Sequence, residues 1–219
     1  MKNEGGTRRE MIETATRLVA AEGVCSISTR RIAEEAGVNV AALNYHFGTK
    51  EELIEKVLDR MLDMLFDEWT SILEIEEMSL PVRIYCLLDH TMESIMASPG
   101  MITSHLFDPL VDVGRRTVFA ERLGSFLRKL PVQLEEHLPL QSKDIRLYLG
   151  QVMLLAVTAA TVPELFRQIA DEDIASGPAR SRYLTGLMRK FLRIELKASD
   201  LIKSDIARVR KLAFHERKQ

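Results

Sequence analysis

The stretch Ser28-Thr29-Arg30-Arg31-Ile32-Ala33-Glu34-Glu35-Ala36-Gly37-Val38-Asn39-Val40-Ala41-Ala42-Leu43-Asn44-Tyr45-His46-Phe47-Gly48-Thr49-Lys50-Glu51-Glu52-Leu53 decides the fold of the N-terminal part of this chain. Ser28 or Thr29 can cap a short helix that carries Ile32, Ala33 and Ala36 on one face, and Gly37 can take the left-handed conformation that ends it. After Val38, the Asn39 side chain can cap another helix, Val40 to Phe47, in which Leu43 and Phe47 lie four apart and point inward together. Helix, turn and helix therefore follow within a few residues. Upstream, Ile12, Ala15, Leu18 and Val19 recur at helical spacing from Thr7 to Glu22 until Gly23 stops the run. Downstream, Thr49-Lys50-Glu51-Glu52 has the capping-box pattern, with Thr49 as N-cap and Glu52 reaching back, and predicts a long helix to about Trp69.

If Leu43 and Phe47 face inward, Val40, Ala41, Asn44 and Tyr45 occupy the opposite face of a helix short enough to enter a major groove. Asn44 can bond an adenine edge bidentately, and Val40 and Ala41 can touch thymine methyls, so the face suits readout of A·T steps. A surface amide with no role is the alternative for Asn44.

The same stretch resembles the signature of the tetracycline-repressor (TetR) family. The resemblance covers roughly the first quarter of the chain; beyond it the likeness is one of helical layout and length. It implies a three-helix DNA-binding domain over residues 1–50 and a helical effector-binding and dimerisation domain over residues 51–219. It also places Arg30 near a base or phosphate, and Tyr45, His46 and Lys50 on the sugar-phosphate backbone, where a phenol, an imidazole and an ammonium at a helix start all suit the task. Thr29 and Asn39, at the two helix starts, complete the expected DNA-binding set. A solvated charge would explain Arg30, and a packed hydrogen-bonding ring would explain His46. The chain departs from the common family pattern at Asn44, Ala42 and Gly48, where an aromatic, a hydroxyl residue and a basic residue are frequent, and so lacks some phosphate contacts.

The remainder reads as helices. Ser79 and Pro81 open one with Tyr85, Leu88, Met92 and Ile95 as its stripe, and Pro99-Gly100 breaks it. Shorter helices are expected near Met101–Phe107, Pro109–Leu130 and Gln133–His137. Ile145 to Phe166 is apolar on nearly every side, as a helix buried against its own domain and a partner subunit would be. Pro178 starts a further helix with Tyr183, Leu187, Phe191 and Ile194 on its face, and an amphipathic basic helix is expected from Ser199 to about His215.

Composition agrees with an all-α fold: 46% of residues are hydrophobic, 28% are charged, and helix formers dominate over Gly and Pro. The N-terminal MKNEGGTRRE is followed by no apolar stretch, and the longest apolar run, Val152 to Val162, is far shorter than the ~20 residues that cross a bilayer, so a cytoplasmic protein without membrane contact is expected. Cys25 and Cys86 stand apart without C-x-x-C spacing and read as reduced core thiols. A net charge of −2 requires any nucleic-acid surface to be local. No catalytic or cofactor pattern of the G-x-S-x-G, H-E-x-x-H, Walker or dinucleotide type is present.

For the second domain the resemblance implies a ligand cavity whose lining varies between members. Trp69, Tyr85, His90, Met92 and His105 are candidates, with Phe107, Phe126, Tyr148 and Met153, because aromatic, Met and His side chains give an adaptable apolar wall with a few polar points; ordinary core packing accounts for each of them as well. Asp89, His90 and Glu93, with His105, are also conceivable metal ligands, although a charged helix face explains them equally. The expected function is an effector-responsive repressor that binds a pseudo-palindromic operator in double-stranded DNA as a homodimer and releases it on binding a small molecule, with no cofactor and no enzymatic activity. A helical small-molecule-binding protein with a vestigial or ligand-independent reader is the alternative.

Overall fold

The computed structural model describes residues 4–102, 118–135, 138, 140–197 and 201. Among them all regular structure is helical. The chain forms two compact units, one from Met1–Leu65 with Ser98–Phe119 and one from Phe66–Ala97 with Ala120–Gln219.

The first unit contains α1 (Glu4–Glu22), a 3-10 turn at Val24–Ser26, α2 (Thr29–Glu35), α3 (Val40–Phe47) and the start of α4 (Lys50–Leu73). α5 (Leu80–Ala97) belongs to the second unit, and the short α6 (Pro99–Ile102) returns the chain to the first. Met11, Ala15 and Val19 of α1, Ile32 of α2, and Leu43 of α3 close a common core with Leu53 and Val57 of α4. The turn between α2 and α3 is fixed by its hydrogen bonds. Gly37, at φ +67°, donates to the Glu34 carbonyl, and Val38 N donates to the Ala33 carbonyl, the paired bonds of a left-handed helix stop. Gly100 of α6 sits directly on the end of α1: a Cβ there would meet the Val19 carbonyl and lie 2.5 Å from Gly23 N.

In the second unit α5 is central, with nearly every residue from Leu80 to Met92 buried. Around it stand the end of α4, most of α7 (Val118–Glu135), α8 (Ser142–Thr161), α9 (Pro163–Ala170) and α10 (Gly177–Leu187), which runs into a π turn at Met188–Leu192. Arg180 of α10 is buried and donates from Nε to Asp89 at 2.7 Å and from Nη2 to Glu93 at 2.5 Å, with the Ile174 and Ala175 carbonyls taking Nη1. Burial pushes the neighbouring Tyr85 phenol up, partly offset by its hydrogen bond with Ser181. On α9, Arg167 and Gln168 hydrogen-bond Glu164 and hold its carboxyl down at about 2.

Several elements differ from the sequence reading. The apolar run Ile145–Phe166 is two helices bent by 101° at Val162, because Pro163 begins a new helix rather than continuing the old one. Gln133–His137 is no separate element up to Glu135: α7 continues through Pro131, carried by the stripe Leu127, Leu130 and Leu134. The buried stripe of α10 and its π turn is Leu184, Met188 and Leu192, one position beyond the predicted Tyr183, Leu187 and Phe191, which are half-buried; Ile194 is buried as expected. α4 runs one turn past Trp69. Thr49 Oγ1 accepts from Glu52 N at 3.2 Å as a cap should, but the Glu52 carboxylate lies against Gly48 instead of closing the box. Cys86 is buried, whereas Cys25 is exposed in the 3-10 turn. Among the described residues no single helix is long and apolar enough to cross a membrane. The expected terminal helix Ser199–His215 lies outside the described residues apart from Leu201.

Candidate nucleic-acid interface and an apolar cavity

The two caps that start α2 and α3 build the candidate interface. Ser28 Oγ accepts from Arg31 N at 3.2 Å, and Asn39 Oδ1 accepts from Ala42 N at 2.6 Å. Each removes one orphan N–H from a helix start and fixes where that helix begins. With Leu43 and Phe47 buried, α3 presents Val40, Ala41, Asn44 and Tyr45 outward, and Tyr45 is 78% exposed. A phenol held that far into solvent by a rigid helix is positioned to touch something outside the chain. His46 is half-buried between its neighbours, with its ring 5.3 Å from Tyr45 edge-on and 6.3 Å from Phe47. Thr29 and Lys50 are half-buried at the first residues of α2 and α4. Among the described residues no carboxylate pairs with Lys50.

Electrostatics temper this surface. Residues 1–50 hold seven Lys and Arg against six Asp and Glu. Three of the arginines are engaged by carboxylates: Arg30 with Glu34 at 2.9 Å, Arg31 with Glu22 at 2.8 Å and Arg17 with Glu35 at 2.9 Å. Arg8 lies over the Phe47 ring at 5.1 Å. Glu34 escaped the sequence reading, although its spacing four residues after Arg30 on one helix was the available signal.

The second unit holds an apolar cavity of about 20 Å³, room for roughly one water. Phe126 and Met153 line it, together with leucines of α4, α5, α7 and α8 such as Leu73, Leu88, Leu127 and Leu149. The leucines were missed because nothing in a sequence separates a cavity leucine from a core leucine. Trp69 is fully buried, its ring 5.3 Å from Phe126 and 5.1 Å from Phe66. Tyr85, His90 and Met92 are buried in α5, and Tyr148 is half-buried in α8. His105 and Phe107 lie outside the described residues. Two buried donors, Trp69 Nε1 and Arg83 Nε, have no hydrogen-bond partner. The conceivable metal set is not brought together: Asp89 and Glu93 turn to Arg180, while His90 Nε2 lies 3.0 Å from Glu68, and no metal-holding group occurs among the described residues.

Residues 11–57 match the family model described as bacterial regulatory proteins, tetR family. The chain is 36% identical over 67 residues to the HTH-type transcriptional repressor KstR2 of Mycolicibacterium smegmatis, a match covering 31% of this chain and 33% of that protein. The chain thus spans about a third of the length of that curated relative. A tetR-family transcriptional regulator from Streptomyces coelicolor has the same fold, with a TM-score of 0.61 at 19% identity over 97% of this chain and 90% of its own. A TetR variant from Acinetobacter baumannii AYE in complex with minocycline gives 0.54 at 21% identity, covering 85% of this chain and 97% of its own.

Proposed function

We propose, from the premise that this chain belongs to the TetR family through its N-terminal domain, that it is a cytoplasmic, effector-responsive repressor that binds a pseudo-palindromic DNA operator as a homodimer. The observation that carries the reading is the α3 face: a rigid, doubly capped helix that holds Val40, Ala41, Asn44 and Tyr45 in solvent while Leu43 and Phe47 anchor it. Asn44 reads an adenine edge, Val40 and Ala41 meet thymine methyls, and Tyr45, His46 and Lys50 hold the backbone. Thr29 and Arg30 approach the phosphates from the start of α2.

One copy reaches one half-site, so a two-fold partner is required. The apolar residues left in solvent supply its surface: Leu147 and Leu154 on α8, Leu165 and Ile169 on α9. Leu187 and Phe191, displaced from the buried stripe of α10, add to it. Residues 51–219 then serve as the effector and dimerisation domain, and the minocycline complex of a structural neighbour supports a ligand role for a fold of this kind. Switching requires an effector that binds the DNA-free arrangement more tightly than the DNA-bound one. α4 is the lever, because one unbroken helix starts at the reader with Lys50 and ends at the cavity with Leu73. No catalytic step is assigned.

Selection from random DNA, followed by a gel shift on the promoter of the protein's own gene, tests the reading. A symmetric motif with half-site centres about one helical turn, ~34 Å, apart is expected. Equal affinity for every sequence would leave a helical ligand-binding protein with a vestigial reader.

A further inference from the structure

The cavity of the second unit is lined only by hydrocarbon and thioether side chains, while two buried donors of the same unit, Trp69 Nε1 and Arg83 Nε, lack acceptors. Leu73 ties them to it. It lines the cavity, its carbonyl accepts from Arg83 Nη1 at 2.5 Å, and it follows Trp69 by one turn on the same face of α4. Phe126, another lining residue, packs its ring on Trp69. The indole and the guanidinium are therefore each one residue removed from the cavity wall. Buried donors almost always have partners, and an unpaired one marks a position where a partner is missing. Both groups can only donate, so the missing partner is an acceptor.

We infer that the effector is an apolar molecule carrying a hydrogen-bond-accepting oxygen, which Trp69 Nε1 or Arg83 Nε receives while the hydrocarbon body enters between α5, α7 and α8. This rests on the ligand-gated reading above and adds the chemistry of the ligand to it. A cavity of about 20 Å³ is too small for such a body, so the lining must part. Met153, unbranched and adaptable, and the half-buried Phe126 are the side chains able to move. The oxygen belongs either to a neutral carbonyl or to a carboxylate; Arg83, which has no carboxylate partner among the described residues, accommodates both.

The test compares three seven-carbon probes, methyl pentyl ketone, heptanoate and heptane, on the full-length protein by calorimetry, with Trp69 fluorescence as a second readout. One or both oxygenated probes should bind about tenfold more tightly than heptane, the size of effect expected when a buried donor gains its acceptor. Ketone binding alone identifies a neutral carbonyl ligand, and heptanoate binding a carboxylate. At least one of Trp69→Phe and Arg83→Met, each checked for an unchanged circular dichroism spectrum, should erase most of that preference, read as the ratio of oxygenated-probe to heptane affinity within each variant. The inference is overturned if heptane binds as well as the oxygenated probes, if none binds, or if both variants keep the preference, as they would were an ordered water serving the donors. If the preference is present but operator affinity does not respond to the probes, gating fails while the chemistry of the cavity stands.

Discussion

Arg30 Nε donates to Glu34 Oε1 at 2.9 Å across one exposed turn of α2, so the arginine expected at the phosphates is already held by a carboxylate. An exposed pair of this spacing is worth only ~0.3–0.5 kcal/mol and yields readily to a phosphate. On the proposed interface Glu34 would oppose DNA, both by competing for Arg30 and by bringing a negative charge there. Glu34→Gln should therefore tighten binding to all sequences by a few-fold at low salt, with the gain shrinking as ionic strength rises. Fluorescence anisotropy across a salt series checks this; no change at low salt would mean that Arg30 stays off the DNA.

The proposed roles of Lys50 and Asn44 divide affinity from specificity. Lys50→Ala should weaken cognate and random DNA alike and shallow the salt slope by about one unit per half-site. Asn44→Ala should instead cost ~1–3 kcal/mol on the cognate site and relax base preference there. A selected motif that is unchanged in Asn44→Ala would remove Asn44 from the readout.

Much of this reader was legible because its signals are local. Ser28 and Asn39 cap within three residues, and Gly37 stops α2 through its own φ, so the bounds of α3 follow from the sequence alone. The second unit was less legible because its determinants are tertiary. Pro163 stood inside an apolar run that composition reads as continuous, and the 101° bend is apparent only once α9 is seen to start there. The stripe of α10 was misplaced by one residue because two apolar rows, Leu184-Met188-Leu192 and Leu187-Phe191, lie side by side; packing against the unit's own core selects the first. The same difficulty hid most of the cavity lining: Phe126 and Met153 were named, but its leucines differ from core leucines only in what stands opposite them.

Arg180 and Asp89, with side-chain exposure of 4% and 6%, form a buried pair that joins α10 to α5, and the half-buried Glu93 completes the set. Removing one partner strands a charge in the core, and losses of ~3–5 kcal/mol are typical of that operation. Arg180→Met should accordingly lower the urea midpoint sharply, because the buried Asp89 loses its opposing charge. Adding Asp89→Leu to Arg180→Met should recover much of the loss, because no charge is then left in the core and the half-buried Glu93 can turn to solvent. Equal destabilisation by the single and double variants would show that the pair's hydrogen bonds, not its charge balance, hold the helices.

Leu154 is 54% exposed on α8, so a single copy tolerates a charge there while a two-fold interface does not. Leu154→Arg should leave the circular dichroism spectrum and the probe binding of each copy intact, convert the dimer to monomer in sedimentation velocity, and cost operator affinity through loss of the second half-site. Ile169→Arg, at the far exposed end of α9, extends the test to the bent segment. Sedimentation of the wild-type chain as a monomer at micromolar concentration would dismiss the α8 and α9 surface as a dimer contact.

Gly100 is the point where the backbone of α6 rests on the end of α1. A methyl group there would press on the carbonyl oxygen of Val19, lie 2.5 Å from Gly23 N and 2.9 Å from the Ala20 oxygen. These are backbone atoms, and the Val19 carbonyl also accepts the 2.8 Å bond from Gly23 N that closes α1, so neither side can rotate out of the way. Gly100→Ala must therefore separate α6 from α1, and overpacking of this kind typically costs ~1–3 kcal/mol. The chain passes from the second unit to the first between Ala97 and Ser98, which makes α6 the first element the reader receives after α5. The substitution should thus reduce thermal stability and operator affinity together, while binding of the seven-carbon probes, which depends on residues of the second unit alone, stays at the wild-type level. Hydrogen exchange should locate the loosened amides in the last turn of α1. Wild-type operator affinity in a variant with measurably faster exchange at Val19 to Gly23 would show that the α6 contact stabilises the reader without taking part in its hold on DNA.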